Sequence, residues 1–187
     1  MGKMIKYVDG NLVEYEIMKR VDEYDPILRQ PTKEVDFSDP TAKVDYYAIS
    51  LAETLGKLDG LGLSANQVGL PLRMFAMNAG DKIWILINPK ILWKSETTSE
   101  YKEGCLSFPG LELKIKRAAS VEIEFYALGG QKVVQKFDGL TARIVQHEID
   151  HLDGICFTDL ISPIKLSMAK DRVKSNMRKL RKMAKNA

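Results

Sequence analysis

The chain has 187 residues, 45% of them apolar, enough for one compact domain with an ordinary core. No apolar run approaches the roughly eighteen residues of a membrane span, and two cysteines cannot build a disulfide scaffold, so a reducing cytoplasm is the expected compartment. The net charge of +3 hides an asymmetry: from Lys165 onward there are nine Lys/Arg against the single acid Asp171, so a mildly acidic body ends in a basic tail.

Lys6-Tyr7-Val8 and Leu12–Ile17 flank Asp9-Gly10-Asn11 and read as a hairpin with an Asp-Gly turn. Val44, Tyr47, Ala48, Leu51, Leu55 and Leu58 recur at spacings of three and four, the signature of one helix face. That helix is expected to stop at Asp59-Gly60, with the glycine in the left-handed cap. Strand-like runs follow at Arg73–Met77, Lys82–Ile87 and Ile91–Lys94. Val121–Phe125 alternates strictly, and Gly129-Gly130 turns it into Gln131–Phe137. A second helix is predicted from Leu140 to Leu152, with Gly154 just past its end. A third begins near Pro163 and carries a narrow seam of Leu166, Val173, Met177, Leu180 and Ala184. Helix, strands, helix in that order indicate an α+β fold.

Both histidines of the chain fall in His147-Glu148-Ile149-Asp150-His151. On a helix, positions i and i+4 stack on one face about 6 Å apart along the axis, so two imidazoles can grip one metal ion. Glu148 lies one step round, where a carboxylate can serve chemistry without being a ligand. The bland alternative is a mundane surface pair of histidines. A catalytic metal needs a third protein ligand and an open position. Phe157 stands where a metzincin would place its third histidine, and no glutamate follows Glu148, which excludes a thermolysin-like set. Asp171 lies inside the basic tail. Of the two thiols, Cys156 follows the helix too closely, so its side chain would have to double back. Cys105, in the turn-like Glu103-Gly104-Cys105-Leu106-Ser107 between strands, is the better ligand, and Cys156 reads as a small core residue.

Three separated motifs then match one family. Gly60-Leu61-Gly62-Leu63-Ser64-Ala65-Asn66-Gln67, Glu103–Ser107 and Gln146–His151 resemble, in order, the Gly-rich, cysteine and histidine motifs of peptide deformylases. The similarity continues through Ile87-Asn88-Pro89, Phe108-Pro109-Gly110 and Asp138-Gly139-Leu140, over most of residues 25–165. Ser64 departs from the alanine usual in that family, adding a hydroxyl that needs a partner.

The resemblance implies a peptide-deformylase-like α+β fold, with mixed antiparallel strands around a central helix carrying the histidines. Residues 1–163 would form the catalytic domain and 164–187 a basic helix packed on it or projecting from it. It implies one divalent metal on Cys105, His147 and His151, with Fe²⁺ favoured and Ni²⁺, Co²⁺ or Zn²⁺ accepted. Glu148 would act as base and then acid, while the Gln67 amide and the Leu106 N–H would hold the developing oxyanion. Leu61, Tyr101, Leu140 and Ile144 would take the methionine side chain, and Gly62 and Gly104 would offer backbone hydrogen bonds. All could equally be core or tight-loop residues. Arg143 reads as surface or pocket wall, and Gln146 as a support of the metal site or a solvated helix position. The expected partners are N-formylmethionyl nascent peptides and, through the basic helix, ribosomal RNA. No membrane is expected. Two rivals remain: a zinc endopeptidase, which shares HExxH, and a catalytically idle RNA-binding domain. Intact Glu148 and Gln67 speak against the second.

Overall fold

The computed structural model describes residues 4–8, 11–39 and 42–185. The chain opens with β1 (Met4–Val8) and β2 (Asn11–Tyr15), paired antiparallel with Met4 opposite Tyr15; the expected Asp9-Gly10 turn lies outside the described residues. Beyond β2 the backbone is tied to the first helix, α1 (Val44–Leu58): Glu16 N–H donates to Ser50 Oγ at 3.1 Å and Met18 N–H to Thr54 Oγ1 at 2.9 Å.

Helix α1 buries Ala48, Leu51 and Leu55, the face its spacing predicts. Its cap differs from the sequence expectation. Asp59, not Gly60, takes the left-handed conformation, with φ 51°. A short polar side chain tolerates that region. Gly60 is small for a different reason: a Cβ there would sit 2.9 Å from the side chains of both Leu55 and Leu106.

The central layer is a five-stranded antiparallel sheet. Its strands are β3 (Gly62–Ser64), β4 (Met74–Asn78), β5 (Ile83–Lys94), β8 (Ser120–Tyr126) and β9 (Lys132–Asp138), in that spatial order. The two runs expected at 82–87 and 91–94 are one strand, β5, interrupted by register shifts. Asn88 sits at the break with φ 50° and spends its amide on the Val35 backbone, accepting at 2.7 Å and donating at 2.9 Å. The remaining strands, β6 (Thr98–Cys105) and β7 (Phe108–Ala118), form a separate hairpin closed by Leu106-Ser107.

Helix α2 (Gly139–Leu152) lies between the sheet and the hairpin, so most of its circumference is buried. Period-two alternation in β4 explains the layering. Phe75 and Met77 face α2, packing with Ala142, Val145, Ile149 and Leu152, while Met74 and Ala76 face α1. A third cluster joins Phe108, Leu111, Leu113 and Ile115 of β7 to Leu28, Cys156 and Phe157.

Helix α3 (Pro163–Lys185) starts where its proline predicts. Its seam divides in two. Leu166, Ala169 and Val173 pack on the third cluster, whereas Met177 and Leu180 are 50% and 60% exposed. The first half of the helix is therefore part of the domain, and the second half presents its seam to solvent.

Candidate metal centre and hydrolytic site

His147 and His151 occupy successive turns of one face of α2, their ring centroids 5.0 Å apart. Cys105, the last residue of β6, places Sγ 3.2 Å from His151 Nε2. One sulfur and two ring nitrogens from these residues lie within 4.8 Å of one another. A thiolate with two imidazoles is a donor set that suits a tetrahedral divalent ion with one position left open.

The electrostatics favour a cation at this spot. Burial pushes the His147 imidazole down, but hydrogen bonds with Cys105 and Glu103 and the charges of Glu148 and Cys105 outweigh it and raise it to about 10. The cluster thus attracts positive charge where the three donors converge. His151 is driven the other way, first by burial and then by the His147 charge, which keeps it the neutral imidazole a metal requires. Glu148 is driven up to about 7 by burial, against the pull of His147 and of the neighbouring Ser64 hydroxyl. Its Oε2 is buried without a protein partner, a carboxylate oxygen ready to accept a proton. The residues fit a resident metal ion.

Behind the histidines lies a buried ion network that the sequence reading missed. Glu103 accepts from His147 Nδ1 at 3.0 Å, from Arg117 at 2.6 and 2.9 Å, and from Arg143 at 2.6 Å. Burial pushes the Glu103 carboxyl up, but the bonds from His147 and Arg117 prevail and hold it at about 2. The ionised carboxylate holds the proton on His147 Nδ1, so a metal ion need displace only the proton on Nε2. Arg117 also bonds Asp150 at 2.7 Å, tying β7 to α2. A signal was present: Leu111, Leu113, Ile115 and Arg117 share one parity of β7, so Arg117 stands where an apolar residue was due.

Two open assignments now close. Arg143 is a cavity wall rather than surface: only 6% exposed, it also clamps Glu103, the Ile115 carbonyl and Ser99. Gln146 is not solvated, nor does it touch the metal donors. Its amide bonds both the N–H and the carbonyl of Ala118 and so fastens α2 to the end of β7.

The sequence profile of the polypeptide deformylase family matches residues 17–167. The chain belongs to that family. It is similar to the peptide deformylase of Pseudothermotoga lettingae, 41% identical over 73% of this chain and 78% of that one. Among solved structures, the peptide deformylase of Thermotoga maritima matches at TM-score 0.73 and 36% identity, covering 79% of this chain and 99% of its own. That of Legionella pneumophila matches at 0.78 and 30%, covering 87% and 96%.

A cavity of about 560 Å³ opens onto the cluster. Gln67, Leu106 and Glu148 line it beside Cys105 and His147, and so do Leu61, Gly62, Tyr101, Gly104, Leu140 and Ile144. Leu61, Tyr101 and Leu140 are 53%, 66% and 56% exposed, so they rim the cavity rather than fill a core, and Ile144 is buried. Gly62 is required by Glu148 itself, because a Cβ would collide with the Glu148 carboxylate. Gln67 is buried, with Nε2 3.2 Å from Ser107 Oγ and 3.4 Å from Cys105 Sγ. Cys156 is fully buried among apolar residues with Sγ 3.7 Å from the Leu28 carbonyl, and burial lifts its thiol to about 11.

Proposed function

We propose that this chain is a metal-dependent hydrolase that removes the formyl group from N-formylmethionyl nascent peptides, releasing formate and a free amino terminus. The observation that carries the reading is the convergence of Cys105, His147 and His151 beside a Glu148 carboxylate with one unpartnered oxygen, at an open, apolar-rimmed cavity. Cys105, His147 and His151 hold one divalent ion, Fe²⁺ being favoured and Ni²⁺, Co²⁺ or Zn²⁺ also compatible with the donors. A bound ion supplies Lewis acidity, which acidifies water and polarises the formyl carbonyl.

The side chains do the rest. Glu148 takes a proton from the attacking water and returns it to the departing amine, a double duty suited to a carboxyl held at about 7. Gln67 Nε2–H and the Leu106 N–H donate to the carbonyl oxygen as it gains charge. Leu61, Tyr101, Leu140 and Ile144 receive the methionine side chain. Edge strand β3 has one free side, where Gly62 offers backbone bonds to an extended peptide, with Gly104 opposite. The test is formate release from formyl-Met peptides beside acetyl-Met and internal-amide controls. Turnover of the formyl peptides alone is expected; equal cleavage of internal amides would indicate an endopeptidase instead.

In this reading residues 1–163 carry the chemistry in the cytoplasm, and residues 164–187 add a basic helix that docks on ribosomal RNA. No described helix is long and apolar enough to cross a membrane. Arg178, Lys179, Arg181 and Lys182 follow Met177, on the stretch of α3 whose seam is exposed, and a basic helix binds RNA phosphate by releasing counterions. Truncation after Asn176 spares Leu166 and Val173, which belong to the core. It should leave short-peptide turnover intact while weakening salt-sensitive ribosome co-sedimentation. Salt-independent co-sedimentation that survives truncation would refute this part.

A further inference from the structure

Ser64 is fully buried beside both Glu148 and Gln67; its hydroxyl carries one proton, and Gln67 Oε1, which can only accept, takes it. It ends edge strand β3, and the chain then makes a short 3₁₀ turn, Ala65–Val68, which returns Gln67 to face it. Two donors from Ser64 meet one acceptor. The backbone N–H reaches Gln67 Oε1 at 2.9 Å and the hydroxyl reaches the same oxygen at 3.0 Å. On its far side the amide points Nε2 at Ser107 Oγ and Cys105 Sγ. The main chain of Gln67 is held as well, its carbonyl accepting from Val21 N–H at 2.9 Å.

We propose that Ser64 is a positioning residue that holds and polarises the Gln67 amide, keeping Nε2–H turned toward the reacting carbonyl. The inference rests on Gln67 acting as an oxyanion donor, as proposed above. A side-chain amide can reverse with little change of shape. Reversed here, its NH₂ would oppose the Ser64 backbone N–H, and its oxygen would oppose the electron-rich Cys105 sulfur. The hydroxyl adds a second effect. A hydrogen bond accepted at Oε1 draws electron density from the amide and strengthens Nε2–H as a donor, because linked hydrogen bonds polarise one another. In a buried site, where Gln67 is 1% exposed, water does not replace that contribution. Ser64 therefore matters most when the oxyanion forms and little when the substrate binds, which places its effect on kcat rather than KM.

The test is a double-mutant cycle on the metal-loaded enzyme with a formyl-Met peptide. Ser64→Ala should lower kcat about two- to tenfold, the scale of one modest hydrogen bond, with KM and metal content unchanged. In a Gln67→Leu background the same substitution should cost clearly less, leaving only what the Ser64 hydroxyl contributes beside Glu148. Equal losses in both backgrounds, or a change confined to KM, would overturn the proposal. A readout independent of turnover is the ¹H–¹⁵N resonance of the Gln67 side-chain amide in the Zn²⁺-loaded protein. It should shift upfield in Ser64→Ala, and an unmoved resonance would also overturn the proposal. A parent enzyme inactive on every formyl peptide would instead refute the deformylase reading, and the resonance alone would then decide whether Ser64 polarises the amide.

Discussion

The two thiols pack on the same core cluster, yet their surroundings differ. Cys105 ends a strand at the mouth of the cavity, with a neutral imidazole 3.2 Å from its sulfur and the Gln67 amide on the other side. Cys156 follows α2 by four residues, turns inward, and lies in the apolar third cluster with the Leu28 carbonyl 3.7 Å away and Arg29 and Asp159 nearby. Burial lifts the Cys156 thiol to about 11, so it stays protonated and serves as packing volume. What faces each sulfur, rather than closeness in sequence to the histidines, separates the proposed ligand from the packing thiol.

The largest effect that can break this contrast is loss of the ligand. Cys105→Ala should abolish metal binding and formate release together, measured by metal analysis and assay of the same sample. Stoichiometric metal in that variant would reverse the two assignments. Next is the chemistry without the ligand. Glu148→Ala should keep its metal, yet lose turnover by at least ~10²-fold, the usual scale of a general acid–base. Turnover at the parent rate would exclude Glu148 from proton transfer.

Glu103→Gln should have a smaller effect, acting through His147. We expect metal affinity to fall about 10–100-fold, as for other residues that orient a ligand from behind. A pH signature accompanies it. The Glu103 carboxyl is held at about 2, below its ordinary value of 4.5, so its contribution to stability is full above the ordinary value and fades as pH falls toward 2. Parent and variant should therefore differ in stability at neutral pH and converge in acid, a comparison that denaturant titrations at several pH values would check. The smallest effect on function belongs to the other thiol. Cys156→Ala should retain metal and turnover while losing about 1–2 kcal/mol of stability to a small cavity, read by denaturant unfolding. Metal loss there would contradict its packing role.

Local patterns were legible in the sequence and non-local ones were not. The histidine pair and Glu148 follow from helical spacing alone. Cys105 follows from eliminating the other donors. The Glu103–Arg117–Arg143–Asp150 network depends on the pairing of β6 with β7 and on α2 lying against both, and no short-range pattern encodes that. β6 itself gives no strand signal, since all of Thr98–Lys102 is exposed and only Glu103 is buried. The cap of α1 was misplaced because a neighbouring glycine is the stronger sequence cue, although the packing of Leu55 and Leu106 had already claimed Gly60. The seam of α3 was continuous in sequence but is half used, because the third cluster contacts the helix only as far as Val173.

X-ray absorption on the Zn²⁺-loaded enzyme tests the central claim most directly, because it counts the atoms bound to the metal. The account predicts one sulfur at about 2.3 Å and two imidazole nitrogens at about 2.0–2.1 Å, with the sulfur signal lost in Cys105→Asp and kept in Cys156→Ala. A shell with no sulfur, or with a sulfur that disappears in Cys156→Ala, would contradict it.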